Sequence, residues 1–289
     1  MNLTPNALEL LKDLNIEVSG CRCDSIEIFS YHTGSWLGEL ALRGPSGPAM
    51  RVVRDALVDA LLNAVEKAGI KVVYGSKLVL VDENDPDQIV ANFENGSSAR
   101  ADFIVGCDGM YSSVRMNYVE PSRKPIYTGI SVAYSIVDAT NIGSPMHFKE
   151  VCMNIGRYGS LLLAFVDQER KNVYLASVKE TPEQGSKEGW RARGKDQEET
   201  SKEIVRRFGE AAFPCIPELI QMVNQYILFP VYKLEPGGNW SKGRVILLGD
   251  AAHGVSSVSI FRTALIFFRC HRRENPLALP LKTVSYLLV

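Results

Sequence analysis

The 289-residue sequence has no excess of either charge: 32 lysines and arginines face 33 aspartates and glutamates, a formal net charge of −1. No long-range field draws such a chain to nucleic acid, and no basic run is interleaved with aromatic residues, so nucleic-acid binding is not expected. Clustered metal ligands are also missing. The 6 cysteines, at positions 21, 23, 107, 152, 215 and 270, are scattered, as are the 4 histidines. Cys21-x-Cys23 has no second pair at metal spacing, so no metal site is expected and the thiols read as buried or free and reduced. Ala264-Leu265-Ile266-Phe267-Phe268, near the carboxyl end, is cut by Arg269 and falls well short of the roughly 20 residues that span a bilayer. No basic-then-apolar leader opens the sequence, and a cytoplasmic location without a membrane span is expected. A Gly-x-Gly-x-x-Gly loop, the common cradle of a dinucleotide pyrophosphate, is absent.

What is present is a globular composition, 46% hydrophobic and 22% charged, enough for one large or two modest cores. Thr4-Pro5-Asn6 before Ala7, Leu8, Leu10 and Leu11 predicts a capped amphipathic helix. From Met50 to Ala68, apolar residues recur every three or four positions, which predicts a helix stopped by Gly69. Ile70 to Tyr74 reads as a short strand. Lys77 to Asp82 and Gln88 to Phe93 read as hairpin strands separated by Asp85-Pro86-Asp87 and closed at Asn95-Gly96. The middle of the chain is β-rich: Ile130 to Val137, Val151 to Ile155, Ser160 to Val166 and Val173 to Val178 predict an antiparallel sheet. Lys179 to Glu203 reads as a charged, solvated loop leading into helices at Ser201 to Phe208 and Pro217 to Tyr226. In the sheet, Tyr134, Met153, Leu163, Phe165 and Tyr174 are candidates to line an apolar pocket, although strand aromatics more often serve the core.

Two runs carry chemistry. Phe103-Ile104-Val105 is a short apolar strand that ends in Gly106-Cys107-Asp108-Gly109-Met110-Tyr111-Ser112-Ser113-Val114-Arg115. A buried parallel strand whose carboxyl end opens into a glycine-acid-glycine turn suits a nucleotide-cofactor crevice. Arg244-Val245-Ile246-Leu247-Leu248-Gly249-Asp250-Ala251-Ala252-His253 repeats the design, with small residues that let a ligand approach the backbone. Asp250 is placed to accept hydrogen bonds from polyol hydroxyls, or to cap a helix, or both. Arg115 carries a charge suited to phosphate, or to a surface ion pair. Ser112 suits a cap. His253 has no base or nucleophile partner in the pattern and is not assigned a catalytic role; nor is any other side chain.

In order and spacing the two runs resemble the Asp-Gly and Gly-Asp motifs of the FAD-dependent aromatic-ring monooxygenases, the family of the salicylate and para-hydroxybenzoate hydroxylases. The likeness covers Leu3 to about Ser257. It implies an α/β fold: a partial Rossmann-like FAD-binding domain of the para-hydroxybenzoate hydroxylase type (1–125, returning at 230–257), a β-rich antiparallel substrate domain (126–229) and an atypical tail (258–289). It further implies FAD contacts from Asp108, Gly109, Arg115, Gly249, Asp250, Ala251 and Ala252. Arg54 matches the family's arginine-x-x-leucine segment, whose guanidinium reaches toward the FAD diphosphate; a solvated helix face is the plainer alternative. NADPH or NADH would donate electrons, and dioxygen would enter a flavin C4a-hydroperoxide that hydroxylates an aromatic or related small substrate.

The resemblance also makes the missing glycine loop an expectation about the chain. Asn2 to Leu11 is similar to the family segment that follows the first βαβ unit, so roughly 30 or more residues are expected to be missing before it. After His253 the family's proline and glycine-rich turn is replaced by Val258-Ser259-Ile260-Phe261-Arg262. Two alternatives accompany the monooxygenase reading: an inactive remnant with little or no FAD binding, and a flavoprotein oxidoreductase that does not insert oxygen.

Overall fold

The computed structural model describes residues 1–85, 87–157 and 159–254 and the backbone of Tyr286–Leu288. The rest of the tail beyond 254, and the turn positions Pro86 and Tyr158, lie outside the described residues. Contacts divide the chain into two compact units: Met1–Lys71 with Gly129–Pro230, and Val72–Thr128 with Val231–Val289.

The first unit is built on a seven-stranded sheet in the order Ile227–Lys233, Ile126–Asp138, Asn172–Glu180, Gly159–Phe165, Val151–Gly156, Ser25–Ser30 and Trp36–Ala41. Alternation along the β-branched strands sends Leu161, Leu163, Phe165, Val173 and Leu175 to one face, where Ile204, Phe208, Ile216, Leu219 and Ile220 complete the core. Those covering residues come from helices Gln197–Phe208 and Cys215–Gln221. A three-stranded sheet orders Asn2–Leu3, Ala49–Arg51 and Cys21–Cys23. Helices Pro5–Asp13 and Arg54–Lys67 accompany it, with Leu3, Met50, Val52 and Leu57 buried together. Gly69 ends the second helix at φ 69°, with Ile70 N donating to Val65 O and Gly69 N to Glu66 O, the doubled closure that favours glycine.

The second unit joins a meander, Leu78–Asp82, Ile89–Phe93 and Ser98–Ala101, to a four-stranded sheet ordered Ser241–Lys242, Val245–Leu247, Phe103–Gly106 and Tyr286–Leu288. Tyr286–Leu288 runs parallel to Phe103–Gly106, so the tail that lacks periodicity in sequence supplies a strand. Leu78, Ile89, Ile104, Val114, Val245, Leu247, Ala251 and Ala252 form this unit's core.

The structure departs from several local expectations. Thr4 makes no side-chain cap to helix Pro5–Asp13, and Met50 lies in strand Ala49–Arg51 ahead of helix Arg54–Lys67. Ile70 to Tyr74 is not a strand: no described strand pairs with it, and Ile70, Val73 and Tyr74 are exposed. Lys179 to Glu203 is not a loop. Its last third begins helix Gln197–Phe208, and it also contains helix Lys187–Lys195, started by Ser186 Oγ accepting from Gly189 N at 3.0 Å and anchored by buried Trp190. Glu203 pairs with Lys179, Arg193 and Arg207, while most of the segment's other charges are exposed. Phe103–Gly106 is buried on one face only, because Ile104 faces the core while Phe103 is 40% exposed. Finally, Leu163 and Phe165 lie in the helix-covered core, whereas Tyr134, Met153 and Tyr174 are half-buried. Strand parity separates the two sets onto opposite faces of the sheet.

Candidate cofactor site

Within the second unit, strands Val245–Leu247 and Phe103–Gly106 are parallel neighbours, with Val245 opposite Ile104 and Leu247 opposite Gly106. Leu248 N then donates to Gly106 O at 2.9 Å. The two runs therefore leave the sheet side by side at their carboxyl ends, where an open α/β sheet offers a crevice. Gly106 is required by close packing: a Cβ there would stand 2.9 Å from both Leu247 Cδ2 and Val114 Cβ. Gly109 and Gly249 are required by conformation, at φ 79° and 56°, with open space where a side chain would stand.

Asp108 organises the first turn. One carboxylate oxygen, Oδ2, accepts from Ser113 N at 2.5 Å and Val114 N at 3.1 Å, and Ser112 Oγ accepts from Arg115 N at 2.9 Å. These acceptors serve the amides that open the π-helical turn Arg115–Val119 and have no partner within it. The other oxygen, Asp108 Oδ1, is buried without a partner. Burial and the neighbouring Asp108 push the Cys107 thiol up, so it stays protonated.

Arg115 is fully buried. Its Nη1 donates to Ala251 O at 2.7 Å, Nη2 to Met110 O at 2.5 Å and Nε to Arg123 O at 3.1 Å. One guanidinium therefore ties the first turn to helix Asp250–His253 of the second. Arg123, which carries no signal in the sequence pattern, adds a second tie: Nη1 donates to Ala252 O at 2.9 Å and Nη2 to Glu235 O at 2.6 Å. Ala251 and Ala252 are buried in the core, so they meet these arginines through their carbonyls. Asp250, by contrast, is exposed and its carboxylate has no hydrogen bond or ion pair among the described residues. His253 lies tilted against Trp240, with ring centroids 5.0 Å apart, and its Nδ1 is buried without a partner. Arg54 belongs to the other unit, where it opens its helix as an exposed residue.

Paired strand-to-helix turns at the carboxyl ends of adjacent parallel strands, one holding an uncommitted carboxylate, define a nucleotide-cofactor α/β protein. Residues 24–259 match the FAD binding domain family, and the chain belongs to it, within the branch of the FAD-dependent aromatic-ring monooxygenases. It is 28% identical over 264 residues to 6-hydroxynicotinate 3-monooxygenase of Bordetella bronchiseptica, a match covering 88% of this chain and 66% of that protein. The structure of Klebsiella pneumoniae HpxO complexed with FAD and uric acid superposes with a TM-score of 0.72 at 21% identity, covering 89% of this chain and 64% of HpxO. A salicylate hydroxylase substrate complex gives 0.70 at 21% identity, covering 88% and 66%. The chain thus spans slightly less than two thirds of the length of these relatives, and the expected α/β fold of the hydroxylase type is the fold it has.

Proposed function

We propose that the chain is the FAD-binding and substrate-side part of a monooxygenase that uses NADPH or NADH and dioxygen to hydroxylate an aromatic or related small ring. The observation that carries this reading is the Asp108–Arg115–Asp250 arrangement. Two acidic turns are locked side by side, yet Asp108 Oδ1 is left unpartnered and the Asp250 carboxylate is uncommitted. Carboxylate oxygens without donors suit a ligand rich in hydroxyl groups, as the ribityl and ribose parts of FAD are. Asp250 would accept from such hydroxyls, and Gly109, Gly249, Ala251 and Ala252 would let the cofactor lie close to backbone. Arg115 would serve by holding the walls together. In this division of labour residues 1–125 and 230–257 hold FAD and 126–229 face the substrate. Bound FAD supplies electron transfer from the nicotinamide donor and activation of dioxygen; the protein orients the ring and excludes water.

The test is to purify the chain, add FAD, remove the excess and record the visible spectrum. A retained oxidised-flavin band is expected. Consumption of NADPH and NADH is then followed with 6-hydroxynicotinate and salicylate, with hydroxylated product measured separately. Loss of all flavin on desalting would refute the reading, and nicotinamide oxidation without product on any ring would move it to a non-oxygenating flavoprotein.

A further inference from the structure

Beneath the helices that cover the seven-stranded sheet, a small cavity of about 10 Å³ is lined by Ser131, Ser177 and Lys179 from the strands and by Arg193, Glu203 and Arg207 from helices Lys187–Lys195 and Gln197–Phe208. Ser177 and Lys179 continue the alternation that sends Val173 and Leu175 into the core. The cavity therefore lies on the face opposite Tyr134 and Tyr174, and it belongs wholly to the first unit.

Three cations meet one carboxylate here. Glu203 Oε2 pairs with Lys179 and with Arg193 Nη2, the latter at 3.5 Å, and Glu203 Oε1 pairs with Arg207 Nη1 at 3.7 Å. Among the described residues no other carboxylate pairs with any of the three, so three positive charges against one negative leave an excess of two. Arginine cannot shed its proton to relieve that excess. Little water reaches it either, because Arg207 is only 6% exposed.

Donors are in surplus as well. Arg207 gives Nη1 to Ser177 Oγ and Nη2 to Val178 O, both at 2.8 Å, yet its Nε is buried without a partner, and so is Arg193 Nη1. Ser177 is buried, accepts from Arg207 and keeps a hydroxyl hydrogen of its own to give. Buried charges and donors are normally matched, as Arg115 is by three carbonyls.

The partner that fits is small, negative and free of donors. The volume is about what one water-sized particle needs, which excludes sulfate, phosphate and carboxylates. A water molecule would accept two of the spare hydrogens and leave the charge excess in place; a monatomic anion answers both. We propose that this cavity is a binding site for a single halide ion, chloride in ordinary solution, held by Arg193, Arg207 and Ser177. The ion fastens the helical layer to the sheet. This site goes beyond the proposed function and stands independently of flavin and of the ring to be hydroxylated.

The experiment follows the thermal midpoint of the full chain by circular dichroism as sodium chloride replaces sodium gluconate at constant ionic strength, without added FAD. An ion bound only by the folded chain raises the midpoint by mass action, here by about 3–5 °C at a 100-fold excess over its dissociation constant. Bromide should act like chloride, and sulfate at the same millimolar concentrations should not. Arg193→Gln removes a spare donor and a charge and should weaken chloride at least about 10-fold. Glu203→Gln takes away the one carboxylate, so it should lower the starting midpoint yet strengthen chloride at least about 5-fold; a purely structural Glu203 gives only the first effect. Crystals grown in sodium bromide should carry an anomalous scattering peak within the cavity. The proposal is overturned if chloride and gluconate give the same midpoint, if sulfate matches chloride, or if Arg193→Gln keeps the parent's chloride response. A cavity without a bromide peak would also overturn it, by assigning the space to water.

Discussion

Replacing Arg115 with methionine keeps most of the side-chain volume and removes one guanidinium from a fully buried position. The carbonyls of Met110, Ala251 and Arg123 then lose their donor. Each orphaned carbonyl costs about 1–2 kcal/mol, and relief of a buried cation offsets part of the sum, leaving a net loss of about 3 kcal/mol. For a chain of this size that lowers the thermal midpoint by about 5 °C. Arg115→Lys should recover little, because one ammonium cannot reach three carbonyls held in different directions. Urea and thermal unfolding followed by circular dichroism measure the loss, and flavin retention is measured in parallel below the transition. The reasoning fails if Arg115→Met unfolds within about 0.5 kcal/mol of the parent, a change typical of surface positions. It also fails if stability holds while FAD is lost, for then the guanidinium serves a phosphate directly and the carbonyl contacts are incidental.

Asp250→Ala should do the reverse: its exposed carboxylate has no partner to lose, so stability should change by less than about 0.5 kcal/mol while FAD affinity falls about 10-fold in a fluorescence titration. Gly249→Ala places a Cβ at φ 56° in open space and should cost about 1–2 kcal/mol of backbone strain. Gly106→Ala meets Leu247 and Val114 at 2.9 Å and should cost about 1–3 kcal/mol of overpacking; both are read by urea unfolding. Burial pushes His147 down to about 4 from 6.5, where it stacks on Phe213 and bonds Asn154 and Cys215. The unfolded chain therefore binds more protons between these values, so stability should be full above about pH 7 and fall as pH drops toward 4. His147→Gln should flatten that slope, and an unchanged slope would assign the acid loss to other groups.

The β-rich middle and the hairpin were legible because their strands alternate and are punctuated by turn residues; all four middle strands and both hairpin strands lie within a few residues of their expected bounds. The two motif runs were legible for a different reason, the glycines that their turns require. Ile70 to Tyr74 misled because β-branched composition marks a fit to a sheet surface and says nothing of whether a neighbouring strand exists. Lys187–Lys195 was hidden because two glycines and a dense charge pattern mask a helix fixed by one cap and one buried tryptophan. Strands Ser25–Ser30 and Trp36–Ala41 left little pattern, since one side of the latter is largely exposed. In the site, the positions of Asp108 and Asp250 could be read from sequence. The tie made by Arg115 could not, because its acceptors are backbone carbonyls, which every residue has.

Arg115 and Ala251 stand 136 residues apart in sequence. Closing a loop of that length costs about 4 kcal/mol of chain entropy before any contact forms, so no local segment of the chain can assemble the pair of turns in advance. A growing polypeptide would carry the first turn as an unfinished half until the final strand-to-helix run had been made and had docked. Refolding should therefore restore sheet signal before it restores the capacity to hold a cofactor, and the interval between the two measures how late this long-range tie is made.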